Sequence, residues 1–143
     1  MADYDRNNIF ARILRGELPC KKVYEDEHAL AFHDINPQAP VHVLVIPKGE
    51  YVSNMDFSAT APSETIAGFW RAVGTVAREL GLEQDGYRLV ANNGANGGQI
   101  VFHFHVHVVP RYRADELQVM WHQTPVPDED LAALRTRVLQ HDR

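Results

Sequence analysis

Apolar residues recur along this chain with two different periods. Ile66, Phe69, Trp70, Val73, Val76, Ala77 and Leu80 follow the three-to-four spacing of one helical face. Pro62 suits the first turn of such a helix, and Gly81 suits the position just past its end. A shorter helix is predicted from Asn7 or Asn8 to about Arg15. Ile9, Phe10, Ile13 and Leu14 form its apolar side and Gly16 stops it. Runs at residues 21–26, 29–33, 42–46 and 87–91 are short and apolar or alternating, as strands are. In the second of these Leu30 and Phe32 share a face, and Leu44 lies at the centre of the third. Residues 34–40 contain two prolines and form a loop. Residues 49–61 are mostly polar and are expected to be a loop as well. A last helix is predicted to begin near Pro127 and Asp128, with Leu131, Leu134, Val138 and Leu139 on its apolar stripe.

The most regular alternation runs from His103 to Val109. His103, His105 and His107 occupy one parity; Phe104, Val106 and Val108 occupy the other. On a strand, residues two apart share a face and stand about 6.5–7 Å from one another. A helix would scatter the imidazoles around its circumference. Histidine is a mediocre strand former, and protonated neighbours repel. Thr, Lys or Glu would solvate such a face as well, so three histidines there point to chemistry. Two chemistries suit them: metal chelation by neutral imidazole, or a histidine nucleophile with neighbours that set its tautomer and bind an anion.

The stretch leading into this strand holds Asn92, Asn93, Gly94, Ala95, Asn96, Gly97, Gly98 and Gln99. Such Asn/Gly runs are commonly simple turns. Beside a histidine array, a loop whose backbone N–H groups approach a phosphate is the better reading. No cysteine cluster or carboxylate pair accompanies it.

Residues 98–109 resemble the signature of the histidine triad family, H-φ-H-φ-H-φ-φ with φ apolar. Residues 8–19, 23–26 and 29–48 are similar to its Hint branch, so the likeness spans about residues 7–110. The resemblance implies an α+β fold: one antiparallel sheet of about five strands, a long helix packed on it, and short N-terminal and C-terminal helices. It implies a single domain over residues 1–143, with an extension from 111 to 143. That extension departs from the Hint pattern; the Pro-Arg at 110–111 looks like the Fhit-type and bacterial branches. Trp121 and His122 are expected either to cover the site or to anchor the tail.

By resemblance, His105 attacks the α-phosphorus of a purine nucleoside 5′-phosphoramidate, giving a nucleotidyl-histidine that water hydrolyses. His107 protonates the leaving amine and holds a phosphate oxygen, while His103 and His42 orient the others. Ile9, Phe10 and Ile13 line the base pocket together with Phe32, Ile35 and Leu44. Asp34 accepts from the ribose hydroxyls, a sensible pairing of one carboxylate with two donors. Asn92, Gly98 and Gln99 join the phosphate contacts. Ile100 stands where Hint proteins commonly have Ser or Thr, so a hydroxyl donor is missing. The family also implies a homodimer, with the helix of Phe69 and Trp70 and the strand that follows it at the interface. Its zinc-binding bacterial members carry a Cys-x-x-Cys that residues 8–11 lack, so no structural zinc is expected, and no cofactor.

Charge and cysteine content narrow the partners. The chain has 143 residues, 14 Lys and Arg against 19 Asp and Glu, and a net charge of −5. Without a basic patch it is not expected to bind nucleic acid or an anionic membrane. The single Cys20 excludes an internal disulfide and is expected to pack as a small core residue. No apolar run approaches the ~20 residues of a membrane span, and the first residues carry no signal-like core, so a cytoplasmic location is expected. Three alternatives remain at this stage: dinucleoside polyphosphate cleavage, a nucleotide-binding module with slight catalysis, and a metal enzyme built on His103, His105 and His107.

Overall fold

The computed structural model describes residues 3–37, 39–111 and 125–141. Its sheet has five antiparallel strands: β1 Lys22–Glu25, β2 Ala29–His33, β3 Val43–Pro47, β4 Tyr87–Val90 and β5 Val106–Pro110. Their spatial order is β1-β2-β3-β5-β4. Four α-helices accompany them: α1 Ile9–Leu14, α2 Asn54–Thr60, α3 Ser63–Glu79 and α4 Asp128–His141. This is the expected α+β architecture. Among the described residues no helix is long and apolar enough to cross a membrane.

Strand alternation divides the core in two. One face of the sheet buries Ala29, Ala31, Val43, Val45, Val106 and Val108 beneath Phe69, Val73 and Val76 of α3. The other buries Leu30, Phe32, Leu44 and Ile46 against Phe10, with Ile13 and Leu14 of α1 packed alongside. Across the second face a row of paired residues runs Phe32, Leu44, His107, Val90. Directly opposed residues share a face, so His107 stands on the α1 side.

Two expectations are corrected. The strand expected over 103–109 begins only at Val106. Before it, the Phe104 N–H turns to the Tyr51 carbonyl at 2.7 Å, which takes 103–105 out of the ladder while Phe104 still enters the core. The 49–61 segment is not all loop. Asp56 accepts the Val52 N–H at 2.9 Å, and Phe57 stacks on Phe104 at 5.0 Å; these contacts fold α2 from a polar-looking sequence. On α3, Phe69 is completely buried while Trp70 is 42% exposed.

Helix α1 begins as predicted: the Asn8 side chain accepts the Ala11 N–H at 2.9 Å. Gly16 follows it with φ +79°, the left-handed stop that glycine adopts without strain. Helix α4 carries Leu131, Leu134, Val138 and Leu139, all exposed. Trp121 and His122 lie outside the described residues.

Candidate active site

A cavity of about 400 Å³ opens on the α1 side of the sheet, within the usual size range of small-molecule sites. Ile9, Phe10 and Ile13 of α1 form one wall; Phe32 and Leu44 form its floor. The turn after β2 brings Asp34 and Ile35, β3's entry brings His42, and the glycine loop brings Asn92, Gly98 and Ile100. His105 and His107 complete the lining. Thirteen of the fifteen predicted site residues thus surround one space; the exceptions are Gln99 and His103.

Gln99 is buried and faces inward. Its Nε2 donates to the Val52 carbonyl at 2.6 Å and to the Val101 carbonyl at 3.0 Å. Its Oε1 accepts the Gly94 N–H at 2.9 Å. The side chain expected to touch phosphate is spent on shaping the loop. Gly94 and Gly98 give that loop its turns, with φ +76° and +92°. A Cβ on Gly98 would meet the Asn92 side chain only in ordinary contact at 3.7 Å, so the positive φ is what calls for glycine there.

His103 is completely buried behind the cavity. Its Nε2 lies 2.9 Å from the Pro47 carbonyl oxygen. A carbonyl only accepts, so Nε2 carries the proton and Nδ1 is the acceptor. Burial, and secondarily His105, hold its pKa near 4 against the ordinary 6.5, so the ring is neutral.

His105 Nδ1 lies 2.6 Å from the His103 backbone oxygen. By the same logic Nδ1 carries the proton and Nε2 keeps its lone pair. Phe10 packs edge-on against the ring, centroids 5.0 Å apart. Burial lowers the pKa of His105 despite the opposing pull of the His103 carbonyl and Asp34.

His107 and His42 form a second unit. His42 Nε2 is 2.8 Å from His107 Nδ1 and 3.4 Å from Asp34 Oδ2. The carboxylate accepts only from a protonated nitrogen, so it favours the proton on His42 Nε2. His107 Nδ1 is then the acceptor, and His107 presents Nε2–H. Burial, then His105 and His42, hold His107 near 4; burial also lowers His42. The other oxygen of Asp34 accepts the Asn36 N–H at 2.8 Å, which fixes the carboxylate at the cavity edge.

The three alternating histidines do not converge on one point. Both ring nitrogens of His103 are taken, Nε2 by the Pro47 carbonyl and Nδ1 by the Tyr4 hydroxyl at 2.6 Å, and His105 Nδ1 faces the His103 carbonyl. Ligand atoms of Asp34, His42 and His107 do lie within 4.8 Å of one another, but they could hold a cation only if His42 Nε2 gave up the proton it shares with His107 Nδ1. That is a different set from the one the alternation suggests.

Pro19, Cys20, Lys21, His33, Asn36 and Val101 also line the cavity, and the sequence did not point to them. Cys20, expected in the core, packs against the second apolar cluster and borders the cavity. It lies just before β1, and no local pattern announces its place at the cavity.

A five-stranded sheet that holds these histidines in a pocket on one face is the architecture of a histidine triad domain. Residues 15–114 match the HIT domain, and the chain belongs to that family. It is 65% identical over 105 residues to a 13.2 kDa HIT-like protein of Azospirillum brasilense, covering 73% of this chain and 86% of that protein. A HIT family hydrolase from Legionella pneumophila superposes with TM-score 0.69 at 39% identity, over 80% of this chain and 97% of that one. A histidine triad nucleotide-binding protein from Candida albicans gives TM-score 0.82 at 28% identity, over 94% and 96%.

Proposed function

We propose that this protein hydrolyses purine nucleoside 5′-phosphoramidates through a nucleotidyl-histidine intermediate. The observation that carries the reading is the His105 tautomer: Nδ1–H is tied to the His103 carbonyl, and Nε2 keeps a lone pair on a side chain that lines the cavity. A buried neutral imidazole held this way is an activated nucleophile without a separate base.

The rest of the cavity suits such a substrate. The slot between Ile9, Phe10, Ile13 and Leu44 takes a flat base, and Asp34 at its edge accepts from a ribose diol. His105 Nε2 attacks the α-phosphorus. The P–N electron pair leaves on the amine nitrogen, which takes a proton through His107. The negative phosphate beside His107 opposes the depression of its pKa and favours its protonated form. Water then cleaves the phosphorus–nitrogen bond to His105, releasing the nucleoside monophosphate and restoring the imidazole. His42 and Asp34 keep the proton on the far side of His107. Names of neighbours support the coarse class: one solved relative is described as a hydrolase, another as nucleotide-binding.

The fully open side chain of Ile100, 87% exposed at the cavity rim, favours a second reading: nucleotide binding with slow turnover. No hydroxyl stands there to assist the leaving group. We also propose that two copies pair, a reading supported by the exposed Trp70, Tyr87 and Leu89 on α3 and the strand that follows it.

The deciding experiment is hydrolysis of an adenosine 5′-phosphoramidate by the purified protein in EDTA, with His105→Ala as control. Release of AMP by the wild type alone is expected. Substantial activity in the variant would overturn the nucleophile, and none in either protein would favour the binding reading.

A further inference from the structure

We propose that Tyr4 is a positioning residue for the His105 nucleophile: its hydroxyl fixes the His103 ring, and the His103 backbone in turn holds His105. The kinetic part of this proposal rests on the phosphoramidate reading above; the structural part does not. Tyr4 precedes the segment 15–114 that matches the family domain, whereas its partner His103 lies within it.

The Tyr4 Oη lies 2.6 Å from His103 Nδ1. The opposite nitrogen of that ring donates to Pro47, so Nδ1 has only a lone pair and the tyrosine hydroxyl must donate. Burial raises the Tyr4 pKa, which keeps the donor protonated. The two rings also meet edge to face, centroids 5.7 Å apart. One path of hydrogen bonds therefore runs from Tyr4 Oη–H through the His103 ring to Pro47. The backbone carbonyl of His103 accepts the hydrogen bond from His105 Nδ1–H at 2.6 Å.

The segment carrying Tyr4 is fastened. Asp5 accepts the N–H groups of Asn7 and Asn8 at 2.8 and 3.1 Å, and the Arg6 carbonyl accepts from Arg15 at 2.7 Å. Arg6 pairs with Glu50 at 2.8 Å, in the loop that follows Pro47. Both ends of the His103 ring are thus held by neighbouring parts of the chain. Without the Tyr4 hydroxyl, the buried Nδ1 loses its donor. The ring is then free to exchange tautomers or tilt, and the carbonyl that orients His105 moves with it. Tyr4 does not line the cavity, so substrate binding should not register its loss.

The test is Tyr4→Phe in the full chain, read by ¹⁵N NMR of the imidazoles and by steady-state kinetics. The wild type should show His103 neutral with the proton on Nε2. In the variant the His103 Nδ1 signal should move to that of an unbonded nitrogen, and the His105 ring signals should move with it. With adenosine 5′-phosphoramidate, kcat should fall on the order of tenfold at unchanged KM, the loss typical of a residue that orients a reacting imidazole. A purely packing role predicts wild-type spectra and kcat, because phenylalanine keeps the ring; that result overturns the proposal. A wild-type His103 with its proton on Nδ1 also overturns it, and this needs no variant to fold. If the wild type cleaves no phosphoramidate, the functional reading fails, while movement or constancy of the His105 signals still decides the role of Tyr4.

Discussion

The ring of His105 is oriented by the backbone of His103, two residues earlier, through a 2.6 Å bond from Nδ1–H to the carbonyl. A carbonyl cannot take part in protonation changes, so this arrangement fixes the tautomer without adding a titrating group.

The pH dependence of kcat/KM follows from that geometry. Burial lowers the pKa of His105 below 6.5. Protonating Nε2 removes the lone pair, so rate is lost as pH falls through the lowered pKa. The acid limb of kcat/KM, which reports the free enzyme, should therefore lie below pH 6.5. A limb above that value would mean that another group controls the nucleophile.

Stability should also weaken in acid. His103 titrates near 4 in the folded chain against 6.5 when exposed. Between those values the unfolded chain binds a proton that the folded one refuses. The contribution is fully present above pH 6.5 and is lost by about pH 4, roughly 3 kcal/mol for this one residue. Glu25, held at about 2 by Lys22 and Lys48, acts only at lower pH still. Urea unfolding at pH 7, 5.5 and 4.5 measures the effect; equal stabilities across that range would contradict it.

Ile100→Ser should raise turnover. The position is open at the cavity rim, so the change costs no core packing and supplies a hydroxyl donor beside the phosphate site. A severalfold gain in kcat is expected, on the scale of about 1 kcal/mol for one added hydrogen bond. An unchanged kcat would mean that the leaving group needs no donor here.

Gly68→Ala should destabilise the fold. A Cβ there would stand 2.2 Å from His28 Cδ2 and 2.4 Å from its Cγ, so helix α3 packs on that ring through the missing side chain. The expected loss is about 1–3 kcal/mol. Thermal denaturation of Gly68→Ala and of the double variant with His28→Ala checks the cause: removing the ring should recover most of the loss.

The elements were largely legible because each is amphipathic over its own length. Residues 29–33, the apolar stripe of α3 and the Asn8 cap each contain their reason locally. The polar segment 49–61 hid α2 because its anchors, Val52 with Asp56 and Phe57 with Phe104, include a partner 47 residues away. Local periodicity carries no record of such contacts.

The sequence by itself determined the alternation that sends Phe104, Val106 and Val108 into the core and histidines the other way. Asp34 and His42 were named only by family resemblance; the β2–β3 pairing that brings them to that face is a tertiary finding. Only the tertiary structure decided what each polar group does. It turned Gln99 inward, placed Cys20 at the cavity, and divided the histidines into a structural ring, a nucleophile candidate and a pair with His42. Those roles depend on which nitrogen meets a carbonyl, a carboxylate or Tyr4. Hydrogen bonds of that kind join residues as much as 99 positions apart. They are fixed by distance and by which atom can donate, and spacing along the chain specifies neither.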